Sequence, residues 1–273
     1  MGSEVARRLI VTADDFGAAV AVNAAVEIAH RQGILTAASL MVGGAAVDDA
    51  VARARAMPGL GVGLHVVLAD GAPVLPAARV SRLVGRDGLF PADMLGTAVK
   101  VAFDPLARRQ MRAEVAAQFA AFARTGLALD HVNAHKHFHM HPVIAGAILA
   151  EGRAYGLRAI RVPREGRGVL AWWAGVLGAR WRRMGLAVND NVVGLSVSGA
   201  FDAGRMRAAL ADLPGGVTEI YTHPATADVW AGSAAGYRYR DELAALIDPG
   251  VRAALVASGA VCGPFAALAG GRA

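Results

Sequence analysis

The chain has 273 residues, of which 55% are hydrophobic and 18% charged, so it can bury the core of one α/β barrel. Its net charge of +6 could suit nucleic acid, but only two of the 28 basic residues are lysines and no nucleic-acid-binding motif is evident. A single cysteine, Cys262, excludes an intramolecular disulfide framework. With no signal peptide or membrane span predicted, we expect a cytoplasmic protein that does not bind nucleic acid.

The first predicted strand ends in two acids. Residues 8–13 form an apolar run typical of a buried parallel strand, and Asp14 and Asp15 follow at its carboxyl end. Strand ends are where α/β folds place their chemistry. Acids also cap helix N-termini, however, and a helical pattern follows as far as Gly33. A catalytic and a capping role are both open for the two acids.

A strand, a short helix and a third strand are predicted next, over residues 34–41, 47–57 and 60–68. The third strand carries His65 within an apolar run, where a histidine is either a buried core residue or a ligand. Gly61 and Gly63 weaken this strand but permit another group to approach closely.

A long connection and a long helix complete the first half of the chain. Residues 69–103, rich in proline, glycine and isolated charges, are predicted as a loop over one mouth of the fold. Asp104 and Pro105 form a good N-cap and first-turn pair, so we predict a helix from Pro105 to Gly126.

Five of the eight histidines fall within residues 131–141. In an extended segment, alternation places His131, Asn133, His135 and His137 on one side. Imidazole is the commonest protein metal ligand and titrates near neutral pH, so the stretch indicates a metal site or a proton-transfer site. A solvated loop and an accidental metal-binding tract are the alternatives.

The second half alternates strands and helices without a linker or a repeat. The predicted strands cover 157–163, 192–198, 216–224 and about 261–262, and the predicted helices cover 143–155, 169–184, 202–213, 237–247 and 248–258. Core packing explains Trp173 and Trp181 in the Trp/Arg-rich helix 169–184, and an interfacial helix at lipid headgroups is the alternative. His223 ends a strand, and Trp230 and Tyr237 follow in a loop that could line a pocket.

This order of elements predicts one α/β domain over residues 1–273, with a mainly parallel, barrel-like sheet. The polar candidates at predicted strand ends are Asp14, Asp15, His65, His135, His137 and His223. In a barrel, these ends share one rim. One carboxylate with two imidazoles is a common open site for a divalent metal, which acidifies its bound water. A second carboxylate could then act as the base, and a histidine across the site as the acid.

Four segments, Thr12–Gly17, Gly63–His65, Asp130–His141 and Tyr221–Pro224, resemble the signatures of the YdjC-like carbohydrate deacetylases. These metal-dependent enzymes have a distorted (β/α) barrel and remove N-acetyl groups from sugars such as chitooligosaccharides. The resemblance extends from Arg8 to about Phe265. Residues 37–42, 71–76 and 131–139 look like the hopanoid-biosynthesis branch, which is thought to deacetylate N-acetylglucosaminyl bacteriohopanetetrol, a membrane lipid.

The resemblance implies a metal site of Asp15, His65 and His135. The family's usual run of consecutive histidines is interrupted here by Lys136, which leaves His137 as an alternative ligand. Histidine ligation favours zinc over magnesium, and we expect one divalent ion of either kind.

The resemblance also implies catalytic and substrate-binding residues. Asp14 would be the general base, and His223 the general acid or the group that polarises the carbonyl. The expected contacts to substrate are His137 or His139, either of which could instead bind the metal, and Arg161, Trp230 and Tyr237.

The expected partner is an N-acetylated sugar or glycolipid. With a glycolipid, the protein would touch the inner membrane surface through Trp173 and Trp181, and a homodimer is also expected. The alternatives are a deacetylase of soluble chitooligosaccharides, another metal-assisted amidase, and a non-catalytic carrier of metal or glycolipid.

Overall fold

A computed structural model describes residues 6–269, and its centre is a sheet of parallel strands. The strands are Arg7–Phe16 (β1), Ala37–Leu40 (β2), Gly61–Val66 (β3), Val132–Ala134 (β4), Asn191–Val193 (β5), Gly216–Thr222 (β6) and Val261–Cys262 (β7). They pair in the order β4-β3-β2-β1-β6-β5, and β7 pairs with β1. Strands β2, β3 and β6 are buried along their whole length, as expected of parallel strands covered by helices on the outside.

Helices follow most of the strands. They are Val20–Gln32 (α1), Val47–Arg55 (α2), Met94–Phe103 (α3), Pro105–Arg124 (α4), Pro142–Ala154 (α5), Val169–Arg183 (α6), Ala203–Ala211 (α7), Tyr239–Ile247 (α8), Pro249–Ser258 (α9) and Phe265–Ala269 (α10). The predicted N-cap of α4 is confirmed, because the Asp104 carboxylate accepts hydrogen bonds from the backbone N–H groups of Leu106 and Ala107. Within residues 6–269, no helix combines the length and apolar character that crossing a bilayer requires.

Irregular backbone joins the two edges of the sheet, so the distorted barrel predicted from the sequence is confirmed. Ile160 bridges Val132 of β4, and the neighbouring Ala159 bridges Ala187, a few residues before β5. The predicted strands 157–163 and 192–198 are wrong in extent. The side-chain amide of Asn189 replaces a neighbouring strand there, since it bonds to both the N–H and the C=O of Val162.

The connection between β3 and α4 is more ordered than the predicted loop. Its last ten residues form α3, whose N-cap Asp93 accepts a hydrogen bond from the Gly96 N–H. The sequence does not show α3 clearly because apolar side chains such as Phe103 remain exposed, which obscures the helical periodicity. The buried Glu114 of α4 accepts hydrogen bonds from the N–H groups of Val74 and Leu75, and so fixes the loop over the barrel mouth.

Helix α6 does not present the tryptophans that we expected at a membrane. Trp181 is 1% exposed, and Trp173 is partly buried, with its indole N–H donating to the Met140 carbonyl oxygen. The expected membrane contact is therefore wrong for Trp181, while Trp173 is half-buried and turned towards Met140. Helical phase instead exposes Leu170 (74%) and Trp172 (66%).

Candidate active site

A β-bulge brings two adjacent carboxylates to the same cavity. The pairing of β1 with β2 shifts register between Ala13 and Phe16, and Asp15 has a left-handed φ of 63°. In a regular strand, Asp14 and Asp15 would point to opposite faces. The bulge re-aims one side chain, as bulges beside active sites do, and both residues line a cavity of about 620 Å³.

Three potential metal ligands converge in this cavity. Oδ1 of Asp15 lies 3.1 Å from Nδ1 of His135 and 3.3 Å from Nε2 of His65, and the two ring nitrogens are 3.4 Å apart. Burial by itself raises the pKa of Asp15, but the two imidazoles outweigh it and hold that pKa well below its ordinary value. The three atoms form a nearly equilateral triangle around one point, which suits a shared cation.

The other carboxylate is part of a buried ion-pair network. The Arg161 guanidinium donates to both oxygens of Asp14, at 2.5 and 2.9 Å, and to both oxygens of Glu219. Burial alone would raise the pKa of Asp14, but Arg161 outweighs it and lowers that pKa far below its ordinary value. Asp14 is therefore ionised and fixed in orientation.

Arg161 is not placed where a substrate contact would be. Its side chain is fully buried behind Asp14, and it is not among the residues that line the cavity. The expectation that Arg161 binds substrate is corrected on this ground: the guanidinium is fully engaged by two carboxylates and positions Asp14.

The histidine stretch divides between two environments. His131, Asn133 and His135 face the barrel interior, as alternation predicts. Lys136 and His137 then adopt left-handed φ values of 53° and 56°, in a turn that ends β4. His137 lines the cavity beyond this turn, so it stays available to a substrate or metal.

His139 lies away from the cavity, which corrects its expected role as a metal or substrate contact. Its ring is fully buried, stacks on Trp181 and hydrogen-bonds through Nε2 to the Arg161 carbonyl oxygen at 3.0 Å. Burial, reinforced by the Arg161 charge, lowers the pKa of His139 to about 3. The turn at Lys136 and His137 breaks the alternation, and the next histidine is directed into the core.

The opposite wall of the cavity holds His223 among aromatic rings. Its imidazole lies edge-on to Tyr221 and Tyr237, at 5.2 and 5.4 Å between ring centroids. Its Nδ1 has no hydrogen-bond partner within the described part of the chain. The backbone N–H of His223 donates to the buried Glu242 carboxylate at 2.5 Å, which fixes the end of β6. Trp230 also lines this cavity, and an edge of polar and aromatic groups of this kind suits a sugar.

A second cavity of about 780 Å³ adjoins the first. Lys136, His137 and Leu195 line both cavities and form the boundary between them. Apolar side chains dominate its remaining wall: Met94, Phe138, Met140, Pro163, Val169 and Leu170. The Lys136 ammonium is paired with the Asp70 carboxylate across the rim of the first cavity.

Sequence reasoning missed Asn133 and Glu219 as functional residues. Asn133 contacts His65, Ser39 and Asp14, and Glu219 is the second partner of Arg161. A signal existed for Glu219, because an acid in the middle of an apolar strand must find a buried partner. Alternation placed Asn133 on the same face as the predicted ligands, but its position in the sequence does not indicate which residues it contacts.

Comparison with known proteins shows the family to which the chain is similar. The family model described as YdjC-like protein matches residues 8–257. A carbohydrate deacetylase of Brevibacillus brevis is 38% identical over 150 residues, which are 54% of this chain and 56% of that protein. A carbohydrate deacetylase of Mus musculus is 33% identical over 244 residues, covering 80% of this chain and 77% of the mouse protein. The chain thus spans little more than half of the bacterial relative.

One solved structure has the same architecture over nearly the whole chain. It is a protein from Enterococcus faecalis assigned to cellobiose-phosphate cleavage, with a TM-score of 0.80 and 24% sequence identity. The match covers 97% of this chain and 99% of that one. At this identity, the likeness shows the fold alone.

Proposed function

Because this chain belongs to the YdjC-like protein family, we propose that it is a metal-dependent carbohydrate N-deacetylase. The observation that carries the proposal is the triangle of Asp15, His65 and His135 in the same cavity as Asp14 and His223. The first group can hold a cation, while the second can move protons. Both relatives described above are carbohydrate deacetylases.

The ligand atoms fit a small divalent ion. Ligands about 2.05 Å from a tetrahedral zinc ion lie roughly 3.3 Å from one another, and the three measured separations are 3.1, 3.3 and 3.4 Å. One carboxylate with two imidazoles is also a donor set that suits zinc. We therefore favour zinc over magnesium.

Asp14 and His223 are proposed to carry the protons of amide hydrolysis. When bound, the ion would polarise the acetyl carbonyl and acidify a water. The Asp14 carboxylate, held by Arg161, would accept the proton of the water that attacks the carbonyl carbon. His223 would protonate the sugar nitrogen as the C–N bond breaks, releasing acetate and the amino sugar. A carboxylate with a strongly lowered pKa is a weak base, which is adequate only for an acidified water.

For the substrate, we favour an N-acetylglucosaminyl unit on a hopanoid glycolipid. The support is the apolar second cavity, which begins at the boundary of the catalytic one and could receive a hydrocarbon attached to the sugar. A soluble chitooligosaccharide, the alternative, would leave this apolar surface unused.

Acetate release tests the activity and the substrate together. We expect release from N-acetylglucosaminyl bacteriohopanetetrol to exceed release from chitobiose, and a chelator to stop both until zinc is restored. Release from chitobiose alone would favour the soluble-sugar alternative, and release that a chelator does not affect would overturn the metal dependence. Metal binding without acetate release from either substrate would favour a carrier.

A glycolipid substrate also places the protein at a membrane surface, and we propose Leu170 and Trp172 as the contact in place of Trp173 and Trp181. Liposome flotation of the parent and of Trp172→Ala tests this, with Trp230→Ala as the control from the cavity. Equal flotation of the parent and Trp172→Ala would contradict it. The cytoplasmic location and the homodimer stay predictions.

A further inference from the structure

A chain of buried hydrogen bonds runs from Asp130, just before β4, to His65. Asp130 Oδ2 lies 2.9 Å from Nδ1 of His131, and Nε2 of the same ring lies 3.1 Å from Ser39 Oγ. Ser39 Oγ is 2.8 Å from the Asn133 amide nitrogen, and the amide oxygen is 2.6 Å from Nδ1 of His65. All five side chains are buried.

Each bond in this relay, defined as Asp130, His131, Ser39 and Asn133, fixes the direction of the next. A carboxylate only accepts, so the His131 ring donates from Nδ1, and a neutral ring then accepts at Nε2 from the Ser39 hydroxyl. The Ser39 oxygen can then accept from the Asn133 amide nitrogen, which turns the amide oxygen to His65. Nδ1 of His65 must donate to that oxygen, and its Nε2 lone pair faces Asp15.

The opposite orientation of the Asn133 amide would defeat the site. Its oxygen would then accept from the Ser39 hydroxyl at 2.8 Å and from the Arg161 guanidinium at 2.9 and 3.1 Å, and its nitrogen would donate to Nδ1 of His65. The Ser39 hydroxyl can donate there only while His131 does not accept it. The proton of a neutral His65 ring would move to Nε2, the atom that faces Asp15 and His135. A protonated ring nitrogen cannot bind a metal. Arg161 attracts the amide oxygen, so something must hold it towards His65.

We propose that Asp130, His131 and Ser39 are positioning residues, which set the Asn133 amide and thereby the metal-binding tautomer of His65. This inference rests on the proposed metal-dependent function. Residues outside the metal's own ligands commonly fix ring orientation and tautomer in this way, at a cost of 10- to 100-fold in metal affinity when removed.

The relay is built into the fold and closed to substrate. Cβ atoms at Gly61 and Gly63 would lie 2.7 Å from Asp130 Cγ and 2.5 Å from the His131 ring, so only glycine leaves room for the relay. The backbone N–H groups of Phe265 and Ala266 donate to Asp130. Serine, histidine and aspartate in this order form a hydrolase triad elsewhere, but here the serine has no exposed surface. Because Ser39 cannot reach a substrate, we assign the relay a positioning role.

Cobalt binding to Ser39→Ala tests the relay, because cobalt(II) reports affinity and ligand geometry through its visible absorption. We expect about tenfold weaker cobalt binding, an altered spectrum, and turnover that recovers when cobalt is saturating. Thr36→Val is the control: it removes a hydroxyl just before β2 whose hydrogen bonds, within residues 6–269, go to the Val11 backbone. We expect its cobalt affinity and spectrum to match the parent.

Three results would overturn the inference. Ser39→Ala that is folded and binds cobalt with the parent's affinity and spectrum would remove the relay and leave the proposed function intact. Equally weakened cobalt binding in Thr36→Val would mean that the loss in Ser39→Ala reflects general destabilisation and not the relay. A parent that binds no cobalt would overturn the metal site and the relay together. If Ser39→Ala does not fold, Ser39→Cys, which keeps a weak donor of similar size, is measured in its place and is expected to weaken binding less than tenfold.

Discussion

Asp14 and Asp15 are neighbours in the chain but belong to opposite kinds of environment. Asp14 is buried and receives two hydrogen bonds from Arg161, so its charge is already balanced by the protein. Asp15 is partly exposed and faces only imidazoles, so its surroundings favour an added cation. The β-bulge gives one strand both environments. The difference teaches that the partners of a carboxylate, and not its sequence position, decide whether it moves protons or holds a metal.

Replacing Asp15 tests the carboxylate that is assigned to the metal. We expect Asp15→Ala to lose bound metal and, with it, all measurable acetate release, because two imidazoles are left without the carboxylate. Asp70→Ala is the control, since Asp70 is a carboxylate on the rim of the same cavity. Metal content after dialysis and acetate release are the measurements, and a metal-loaded Asp15→Ala would show that the ligand set is wrong.

Replacing Asp14 should separate proton transfer from metal binding. We expect Asp14→Asn to keep its metal and to lose about a thousandfold in turnover, a loss typical of a general base. The amide is isosteric, its oxygen can still accept from Arg161, and Glu219 stays as an anionic partner, so the variant should fold with only a modest loss of stability. Near-normal acetate release by this variant would contradict the assignment of the base.

Replacing Glu219 should affect stability more than chemistry. Glu219→Gln leaves Arg161 with Asp14 as its anionic partner but weakens the hydrogen bonds to the guanidinium, and hydrogen bonds to charged groups contribute about 1.5–3 kcal/mol. Urea unfolding measures this loss. The exposed pair of Asp202 and Arg205 supplies the control, because Asp202→Asn is expected to change stability by less than about 1 kcal/mol. Equal losses of unfolding free energy in the two variants would mean that the buried network contributes no more to stability than an exposed ion pair.

The histidine next to this network predicts a pH dependence of smaller size. His139 stays neutral in the folded protein until its pKa of about 3, whereas the unfolded chain binds the proton near its ordinary value of 6.5. Protons therefore favour unfolding as the pH falls below 6.5. In the metal-free protein, we expect the parent to lose about 2 kcal/mol more than His139→Gln between pH 7 and 5. Parallel pH curves for the two proteins would contradict this.

The sequence predicted the frame of the molecule well, for identifiable reasons. Buried parallel strands read as apolar runs, and the Asp104 cap marked the start of α4. Gly61 and Gly63 indicated that other groups approach β3 closely, and the structure shows that these groups are Asp130 and His131. These signals are local, so a single sequence contains them.

The parts that the sequence did not predict depend on contacts between distant segments. No local pattern marks the bulge that turns both Asp14 and Asp15 to one cavity, and strict alternation would have separated them. The left-handed turn at Lys136 likewise ended the alternation that had placed His139 at the site. Arg161 looked like a substrate contact because its buried partners lie elsewhere in the chain.

The way in which the loop after β3 is held decides which parts of the cavity lining can vary. Glu114 bonds to the main-chain N–H groups of residues 74 and 75, and Gln118 bonds to the main chain of Val67. The residues that hold the loop thus belong to α4, and they bond to the main chain of the loop and not to its side chains. The side chain of Ala72 can therefore change under selection while the loop keeps its course, whereas a Cβ at Gly71 would lie 2.7 Å from Val67 and Leu75 packs against the core. Ala72 lines the cavity, so the shape of the cavity can vary there without disturbing the polar groups below.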